Sequence, residues 1–321
     1  MRNRFAQTFY EIAKTDSRQC MIVADISPAG SMAKFRDEFP QRFINSGVAE
    51  QVMIGLAAGM CQRGLRPFAY TIATFAFYRP FEMLRDDLCY QNLPVTVVGI
   101  GGGVSYSTLG ATHHAQEDVA IAMAVPNLRV LAPCDPLEVE AITRCCTKQE
   151  QGPVYLRLGK AGEPELTAGL REPWQFGKLR VLRQGSTHCL LTYGVITKMV
   201  LEVAAGLEHR GISTSVVTTP TLKPLDREGL AEVLRAHKTV SVIEECAPRA
   251  LGLEVEALAK RIGYSGSIET FALQDEFIHC YGTHADILAA HGLSVDYIVD
   301  QILSCLKPSP TSARFGERVD S

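Results

Sequence analysis

The sequence lacks the features that would place it in a membrane or on nucleic acid. No apolar run in its 321 residues reaches the roughly 18 residues that a membrane-spanning helix needs. No cluster of lysine and arginine stands out and the formal net charge is −3, so we expect neither a membrane nor a nucleic-acid partner. Residues 1–5 lead into a polar helical pattern without the apolar core of a signal peptide, which predicts a cytoplasmic protein.

The ten cysteines also lack the spacing of a metal or disulfide motif. They are scattered singly apart from the adjacent pair Cys145 and Cys146, and no Cys-x-x-Cys occurs. This spacing indicates neither a zinc site nor a disulfide framework. We expect most of the thiols to be buried and to behave as small apolar groups.

What the chain does contain is an alternation of strand and helix patterns. With 46% hydrophobic and 21% charged residues, its composition is that of an ordinary globular protein. The alternation predicts an α/β fold of two doubly wound domains, with sites at the carboxyl ends of mostly parallel strands. We place the first domain at residues 1–162, a linker rich in glycine and proline at 163–180, the second domain at 181–306 and a disordered tail at 307–321.

Residues 42–52 are the segment on which the chemistry is expected to centre. A short strand runs through Ser46 and Gly47 into a helix that carries Glu50 in its first turn. Its apolar residues, at four-residue spacing, predict a broad face that packs inside the protein. They are Val48, Val52, Leu56 and Met60, with Ala49, Met53 and Ala57 beside them. A carboxylate held against apolar surface without a cation can keep its proton near neutral pH. An acidic residue that merely complements the helix dipole is an equally good interpretation of this segment alone.

An aromatic cluster follows the predicted strand at residues 66–72. Phe75, Tyr78 and Phe81 lie in a segment that leads into a helix. Taken alone, this pattern favours a hydrophobic core, and a pocket for a flat ring is the alternative.

A glycine-rich loop follows the predicted strand at residues 95–100. The glycines at 101–103 do not fit a Gly-x-Gly-x-x-Gly pattern, so a dinucleotide site is not indicated. We expect a closely packed or mobile loop that delivers His113 and His114 to a pocket. Adjacent side chains diverge, so one histidine should face the chemistry. A helix-capping pair on the surface is the alternative.

Two cations end the first domain. Arg157 lies in the predicted strand at residues 154–158, and Lys160 follows it. They either bind an anionic group or are simply solvated.

Three of these segments together resemble the transketolase family, and the resemblance covers nearly the whole chain. Residues 43–51, Phe-Ile-Asn-Ser-Gly-Val-Ala-Glu-Gln, are similar to the family segment whose glutamate binds the aminopyrimidine of thiamine diphosphate. Residues 73–75, Ala-Thr-Phe, resemble the start of the pocket for that ring, and residues 110–113, Gly-Ala-Thr-His, resemble the Gly-Pro-Thr-His substrate motif. The order of these segments and their spacing match the family. The resemblance therefore implies a pyrimidine-binding domain followed by a transketolase C-terminal domain.

The resemblance implies cofactor contacts for four residues. Glu50 would hydrogen-bond N1′ of the aminopyrimidine and favour the imino tautomer, which can take the proton from C2 of the thiazolium. Phe75, Tyr78 and Phe81 would contact the ring. The cofactor itself would carry the carbon-carbon chemistry.

Substrate contacts are implied for the histidines and the two cations. His113 would hydrogen-bond a substrate oxygen as charge shifts during cleavage and addition. His114, Arg157 and Lys160 are the further candidates, with Arg157 and Lys160 resembling the Arg-x-x-Arg segment of deoxyxylulose-phosphate synthases.

The sequence lacks the Gly-Asp-Gly segment with which the family holds Mg²⁺ and the diphosphate. The resemblance therefore implies the C-terminal subunit of a split transketolase, inactive alone. Its N-terminal partner subunit would supply the metal ligands. Active sites would lie at the interface of a two-plus-two heterotetramer, so self-association is also expected.

Two departures from the family pattern bear on the substrate. Leu109 stands where the family commonly has Asp, and Gly101 stands where it has His or Arg. The expected reaction moves a two-carbon ketol unit between a ketose and an aldose, either sugar phosphates or a modified sugar that Lys160 helps to bind.

Other functions fit the same residues. A deoxyxylulose-phosphate-synthase-like enzyme or a 2-oxoacid dehydrogenase E1 beta subunit would use the same cofactor, although the histidine motif favours the sugar enzymes. A non-catalytic regulatory or scaffold subunit is the alternative from a different class.

Overall fold

The computed structural model of the chain describes residues 1–28, 30–148, 150, 152–247 and 249–306. The tail predicted at residues 307–321 lies outside the described residues. In the described part, no helix combines the length and apolar character needed to cross a membrane.

The α-helices in this part are α1 (Arg2–Ala13), α2 (Ser31–Glu38), α3 (Glu50–Gln62), α4 (Ala73–Phe77), α5 (Phe81–Met83), α6 (Asp118–Ala124), α7 (Pro136–Lys148), α8 (Thr197–Glu208), α9 (Arg227–Ala236), α10 (Leu251–Ile262), α11 (His284–Ala290) and α12 (Val295–Leu306). The strands are β1 (Gln19–Val23), β2 (Phe43–Asn45), β3 (Arg66–Ile72), β4 (Thr96–Ile100), β5 (Arg129–Leu131), β6 (Val154–Leu158), β7 (Arg180–Arg183), β8 (His188–Thr192), β9 (Thr214–Thr218), β10 (Thr221–Lys223), β11 (Thr239–Ile243) and β12 (Ser267–Phe271).

The first domain is built on a seven-stranded sheet with the order β10-β5-β6-β4-β3-β1-β2. Strands β1 to β6 pair in parallel. The strands β1, β4 and β6 are buried along their whole length, as expected for parallel strands covered by helices on both faces. The segments that carry Glu50, Phe75 and His113 follow β2, β3 and β4, so they all leave the carboxyl end of this sheet.

The second domain has a five-stranded sheet with the order β12-β11-β8-β9-β7. Its strands pair in parallel except at β7, which runs antiparallel to β9. Two α/β domains with mainly parallel sheets confirm the predicted fold class. Most of the ten cysteines are buried, which also agrees with the sequence.

The two domains interlock through β10. This strand follows β9 in the chain, yet it pairs antiparallel with β5 at the edge of the first sheet. Lys223, at its end, donates a 2.8 Å hydrogen bond to the carbonyl of Met123. The second half of the chain thus completes the sheet of the first half.

Arg157 is buried at the centre of this domain contact. Its Nε donates to Asp118 Oδ2 at 2.9 Å, and its Nη2 donates to the carbonyl of Glu245 at 2.9 Å. Tyr155 donates to the same Asp118 oxygen at 2.7 Å. These contacts commit Nε and Nη2 of Arg157 inside the protein, and substrate binding by Arg157 stays a prediction of the sequence. Breaking such a buried ion pair typically costs about 3–5 kcal/mol, so Arg157 stabilises the contact between the two domains.

Glu245 links the second domain to the glycine-rich loop of the first. One oxygen, Oε1, accepts from the backbone of Val104 at 2.7 Å and contacts His284 Nε2 at 2.8 Å. Burial alone would lower the pKa of His284, but the charge and hydrogen bond of Glu245 outweigh it, so the pKa is raised. Burial would likewise raise the pKa of Glu245, but His284 and Arg157 lower it. Each group therefore favours the charged form of the other.

We predict that replacing His284 with Gln lowers the melting temperature most at about pH 6, and that this decrease in melting temperature becomes smaller as the pH rises. The pKa of His284 is raised above 6.5, so its contribution is complete below that value and is lost through the higher folded pKa. The pKa of Glu245 is lowered below 4.5, so its contribution is complete above that value and is lost as the pH falls. Melting curves across this range test the prediction.

The exposed His279 provides the matched control. His279→Gln should show no comparable pH-dependent loss. An effect of His284→Gln that is the same at every pH would contradict an ionic contact.

Candidate functional site

Glu50 is fixed by a tight turn between β2 and α3. Asn45 Oδ1 accepts backbone hydrogen bonds from Asp25 and Gly47, each at 3.0 Å. Gly47 has φ +71°, a conformation that glycine adopts without strain. Helix α3 begins at Glu50 itself, whose side chain is 2% exposed. The predicted burial of this carboxylate is confirmed.

The apolar face predicted for α3 is buried only in part: Met53 and Ala57 are fully buried and Met60 packs against the core. Its buried positions are Met53, Ile54, Ala57, Ala58 and Cys61 together with Glu50. Val48, Val52 and Leu56, which the four-residue spacing placed inside, are 70%, 58% and 36% exposed. The helix is apolar on two sides, and this chain buries one of them. We call the other side, formed by Val48, Val52 and Leu56, the α3 stripe.

The buried carboxylate also has a cation, which the sequence pattern did not reveal. Arg79 Nη1 donates to Glu50 Oε2 at 2.8 Å, and the Arg79 side chain is 40% exposed. The same guanidinium lies over the ring of Phe75, with its central carbon 4.9 Å from the ring centroid. Phe75 lies in α4 and Arg79 in the turn that follows the helix, four residues later, so this segment presents both to Glu50.

A row of rings continues from Phe75 to Lys160. The centroids of Phe75 and His113 are 5.2 Å apart, and those of His113 and Tyr106 are 6.2 Å apart. The Lys160 ammonium lies 5.0 Å from the centroid of Tyr106. His113 is therefore flanked by rings, with Arg79 at one end of the row and Lys160 at the other.

Close packing explains the three glycines of the loop after β4. A Cβ on Gly101 would lie 2.2 Å from the Tyr106 ring, and one on Gly102 would lie 2.4 Å from Nε of Arg157. At Gly103 it would lie 2.2 Å from a Glu245 oxygen. The closely packed form of the predicted loop is thus the one observed. A larger residue at position 101 would displace Tyr106.

His113 has the protonation state of a neutral hydrogen-bonding group. Burial lowers its pKa, which favours the uncharged ring at neutral pH. The hydroxyl of Thr112 lies 3.0 Å from Nδ1. A hydroxyl that donates to Nδ1 leaves the proton on Nε2, where it can be given to a partner outside the chain.

A separate hollow of about 600 Å³ lies beside this row. Its lining residues are Thr74, Tyr78, Phe81, Ala111, Thr112, His114, Glu117, Ile121 and Phe277. Tyr78 donates to Glu117 Oε2 at 2.7 Å and accepts from the backbone of Glu117 at 3.0 Å. Its aromatic walls and its position beside α4 suit a flat ring.

A buried hydroxyl beside this hollow has no hydrogen-bond partner among the described residues, namely that of Thr74. His114 lines the hollow too, and burial lowers its pKa, which favours the neutral ring, although a hydrogen bond with the backbone of Tyr106 opposes this. Buried polar groups are normally hydrogen-bonded, so the Thr74 hydroxyl points to a ligand or water that completes it.

The structure therefore divides the predicted site residues between two faces of α4. Glu50, Phe75 and His113 belong to the row, whereas Tyr78, Phe81 and His114 line the hollow. The two histidines diverge, as the sequence predicted. Sequence reasoning missed Arg79, Tyr106 and Glu117. The position of Arg79 one turn after Phe75 was an available signal for the first.

One cluster in the described part of the chain has the composition of a metal site, namely Cys134, Asp135 and Glu138. Its carboxylate oxygens already accept hydrogen bonds. Asp135 accepts from the backbone and hydroxyl of Thr167, and Glu138 accepts from Arg180 at 3.0 Å. The cluster holds the segment that follows β6 against α7. Its potential metal ligands, a thiol and two carboxylates already bonded to the protein, do not fit a resident Mg²⁺.

Two family models match the chain. The model described as "Transketolase, pyrimidine binding domain" matches residues 1–162. The model described as "Transketolase, C-terminal domain" matches residues 177–298.

Named relatives fall into two groups that differ in length. The 1-deoxy-D-xylulose-5-phosphate synthase of Bacillus mycoides (strain KBAB4) is 32% identical over 305 residues, covering 92% of this chain and 47% of the relative. The chain thus spans about half the length of that relative. An apulose-4-phosphate transketolase subunit of Actinobacillus succinogenes is 30% identical, with 94% of this chain and 97% of the relative covered.

A solved structure of a split gene transketolase, an inactive beta4 tetramer, has the same fold along nearly its full length. Its TM-score to this chain is 0.85 at 33% identity, with 95% of this chain and 97% of that chain covered. These matches in sequence and in structure show that the chain belongs to the transketolase family.

Proposed function

We propose that the chain is one subunit of a two-chain, thiamine diphosphate-dependent transketolase that transfers a two-carbon ketol unit from a ketose to an aldose. The observation that carries the proposal is the buried carboxylate of Glu50 at the carboxyl end of a parallel sheet. Contacts through Arg79 and Phe75 join it to His113. A carboxylate, an aromatic face and a neutral imidazole are the groups that a bound aminopyrimidine and a sugar oxygen require.

The described residues fit the ring of this cofactor. Glu50 would hydrogen-bond the ring nitrogen N1′ from a site nearly free of water, and Phe75 would lie against the ring. Tyr78 and Phe81 supply the aromatic walls of the adjoining hollow, where the unpartnered Thr74 hydroxyl could bond a heterocycle. Thiamine diphosphate, when bound, supplies the carbon nucleophile for cleavage and formation of carbon-carbon bonds.

His113 would act on the substrate oxygen. Its neutral ring, with the proton on Nε2, can donate a hydrogen bond as negative charge develops on that oxygen. The rings of Phe75 and Tyr106 hold the imidazole on both sides and keep it oriented.

The metal and diphosphate would be held by a separate polypeptide. The Gly-Asp-Gly segment is missing from this sequence, and the acidic cluster at Cys134 to Glu138 is committed to protein contacts. The relatives of similar length include one named as a transketolase subunit and a split gene transketolase. We infer that Mg²⁺ is bound by the partner, that this chain alone is inactive, and that the complex is a cytoplasmic two-plus-two heterotetramer.

The α3 stripe is the proposed surface for self-association with a second copy of this chain. Val52 and Leu56 are exposed on the helix that carries Glu50, and Gly55 and Gly59 lie between and beyond them. A Cβ on Gly59 would meet no atom within 4 Å, so the helix backbone is open to a neighbouring molecule there. Small residues in an apolar face allow two helices to approach closely. The beta4 tetramer of the similar split transketolase is likewise an assembly of one kind of chain.

The acceptor is proposed to be a sugar phosphate or a modified sugar. Lys160 lies at the end of the aromatic row beyond His113, where it can bind an anionic group. Leu109 is 50% exposed, so the place where the family commonly has Asp presents an apolar side chain. A sugar with one hydroxyl fewer, or with an apolar substituent, would suit this wall.

A deoxyxylulose-phosphate-synthase-like reaction is the second candidate, because relatives with that name are 32% identical over most of the chain. In that reaction pyruvate would lose carbon dioxide. Release of carbon dioxide from pyruvate by the assembled complex would favour the synthase. Ketol transfer without it would favour the transketolase.

We predict that Glu50→Gln lowers kcat of the assembled enzyme by about 100-fold or more, the usual size of a lost proton-transfer group. Gln keeps the size of the side chain but cannot exchange a proton with the ring nitrogen. Glu82→Gln, a neutral replacement at a solvent-accessible site in α5, is the matched control. Wild-type turnover in Glu50→Gln would favour a scaffold role instead.

We predict that Val52→Asp weakens self-association of the chain, because a charge placed in the apolar contact must be desolvated. Native mass, measured by light scattering across a concentration series, should fall towards that of the single chain. Leu253→Asp is the control, since Leu253 is an exposed apolar residue of α10 in the second domain. An unchanged mass for Val52→Asp would place the interface elsewhere.

A further inference from the structure

We propose that Arg79 is a placeholder that competes with the cofactor for Glu50. In the free chain its guanidinium occupies both the carboxylate and the aromatic face that an aminopyrimidine would use, and it must swing away when the ring binds. This inference rests on the proposed function and adds a gating residue to it.

The geometry shows one cation making both contacts. Arg79 Nη1 is 2.8 Å from Glu50 Oε2, and the guanidinium carbon is 4.9 Å from the Phe75 centroid. A flat, delocalised guanidinium can hydrogen-bond a carboxylate at its edge while its face lies on an aromatic ring. An aminopyrimidine would place a ring nitrogen and a ring face in the same two positions. Arg79 therefore resembles the proposed ligand in both shape and bonding.

Arg79 is held loosely enough to leave. Its side chain is 40% exposed, whereas that of Glu50 is 2% exposed, so Arg79 is the partner on the solvent side. Among the described residues it makes one side-chain hydrogen bond, the one to Glu50. Arg157 is the opposite case, because it is buried and donates to Asp118 and to two carbonyl oxygens. A partly solvated arginine with one bond can change its conformation at small cost.

The reason for such a placeholder follows from the burial of Glu50. A carboxylate that is 2% exposed is unfavourable without a partner, and the free chain has no ring there to supply one. Arg79 supplies the missing partner until the cofactor arrives. The cofactor must displace Arg79. Its apparent affinity for the chain is therefore the intrinsic affinity multiplied by the fraction of chains in which the ion pair is open.

If the ion pair were purely structural, removal of Arg79 would have the opposite effect on cofactor affinity. If Arg79 only stabilised the start of α3, its loss would loosen Glu50 and weaken binding. If it gives way to the cofactor, its loss frees Glu50 and tightens binding.

The experiment measures the dissociation constant of thiamine diphosphate by equilibrium dialysis, using the complex reconstituted with its partner subunit at fixed Mg²⁺. Arg79→Gln should bind the cofactor about threefold to tenfold more tightly than wild type, the range expected when one partly solvated hydrogen bond no longer competes. Arg79→Lys keeps a cation within reach of Glu50 and should stay close to wild type. Arg85→Gln removes an exposed arginine of a later turn, paired with Asp86, and should leave the affinity unchanged.

The outcomes separate this inference from the function on which it rests. A wild-type complex that binds no thiamine diphosphate would overturn both. Wild-type binding with equal or weaker binding by Arg79→Gln would overturn the placeholder alone. Arg79→Met, a second neutral variant, guards against a local defect of Gln. If melting curves show that neither neutral variant folds, the ion pair is structural and the inference is wrong.

Discussion

A nearly buried carboxylate needs a partner, and much of this site follows from that need at Glu50. The turn through Gly47 sets the start of α3, which places the carboxylate under the end of α4. Arg79 pairs with it there and lies on Phe75, and the row of rings then leads to His113 and Lys160. Charge compensation and ring contacts thus organise the same few residues before any ligand is present.

The second constraint is the packing of the two domains around the loop after β4. Its glycines admit Tyr106, Arg157 and Glu245 at distances that a Cβ would forbid. Arg157 and Glu245 tie the loop to the second domain, and β10 completes the first sheet. The loop that leads to His113 is therefore positioned by contacts with both domains.

Periodicity revealed most of the fold, because buried parallel strands are continuous apolar runs with clear ends. The bounds predicted for β3 and β6 agree with the structure. The elements α2, β7, β10 and α11 are short or lie at sheet edges, where the apolar signal is weak. The face predicted for α3 was right only in part, for a different reason. Periodicity identifies apolar positions but cannot say whether the chain itself or a second molecule covers them.

Chemical residue types were visible in the sequence, but their pairing was not. Glu50, Phe75 and His113 stood out as motifs, and the structure connects them. The ion pairs of Arg157 with Asp118 and of Arg79 with Glu50 depend on side-chain directions that residue spacing in the sequence does not encode. The same limit applies to Tyr78 and Phe81, which line the hollow with His114.

The central claim is that this chain holds one half of a thiamine diphosphate site and that a partner subunit holds the other. The most direct measurement is the native mass of the complex recovered with this chain as bait, together with its thiamine diphosphate and Mg²⁺ content. We predict a second polypeptide of comparable size, with cofactor and metal present in the assembled complex and absent from the chain alone. Recovery of the chain by itself, with no cofactor bound at any Mg²⁺ concentration, would contradict it.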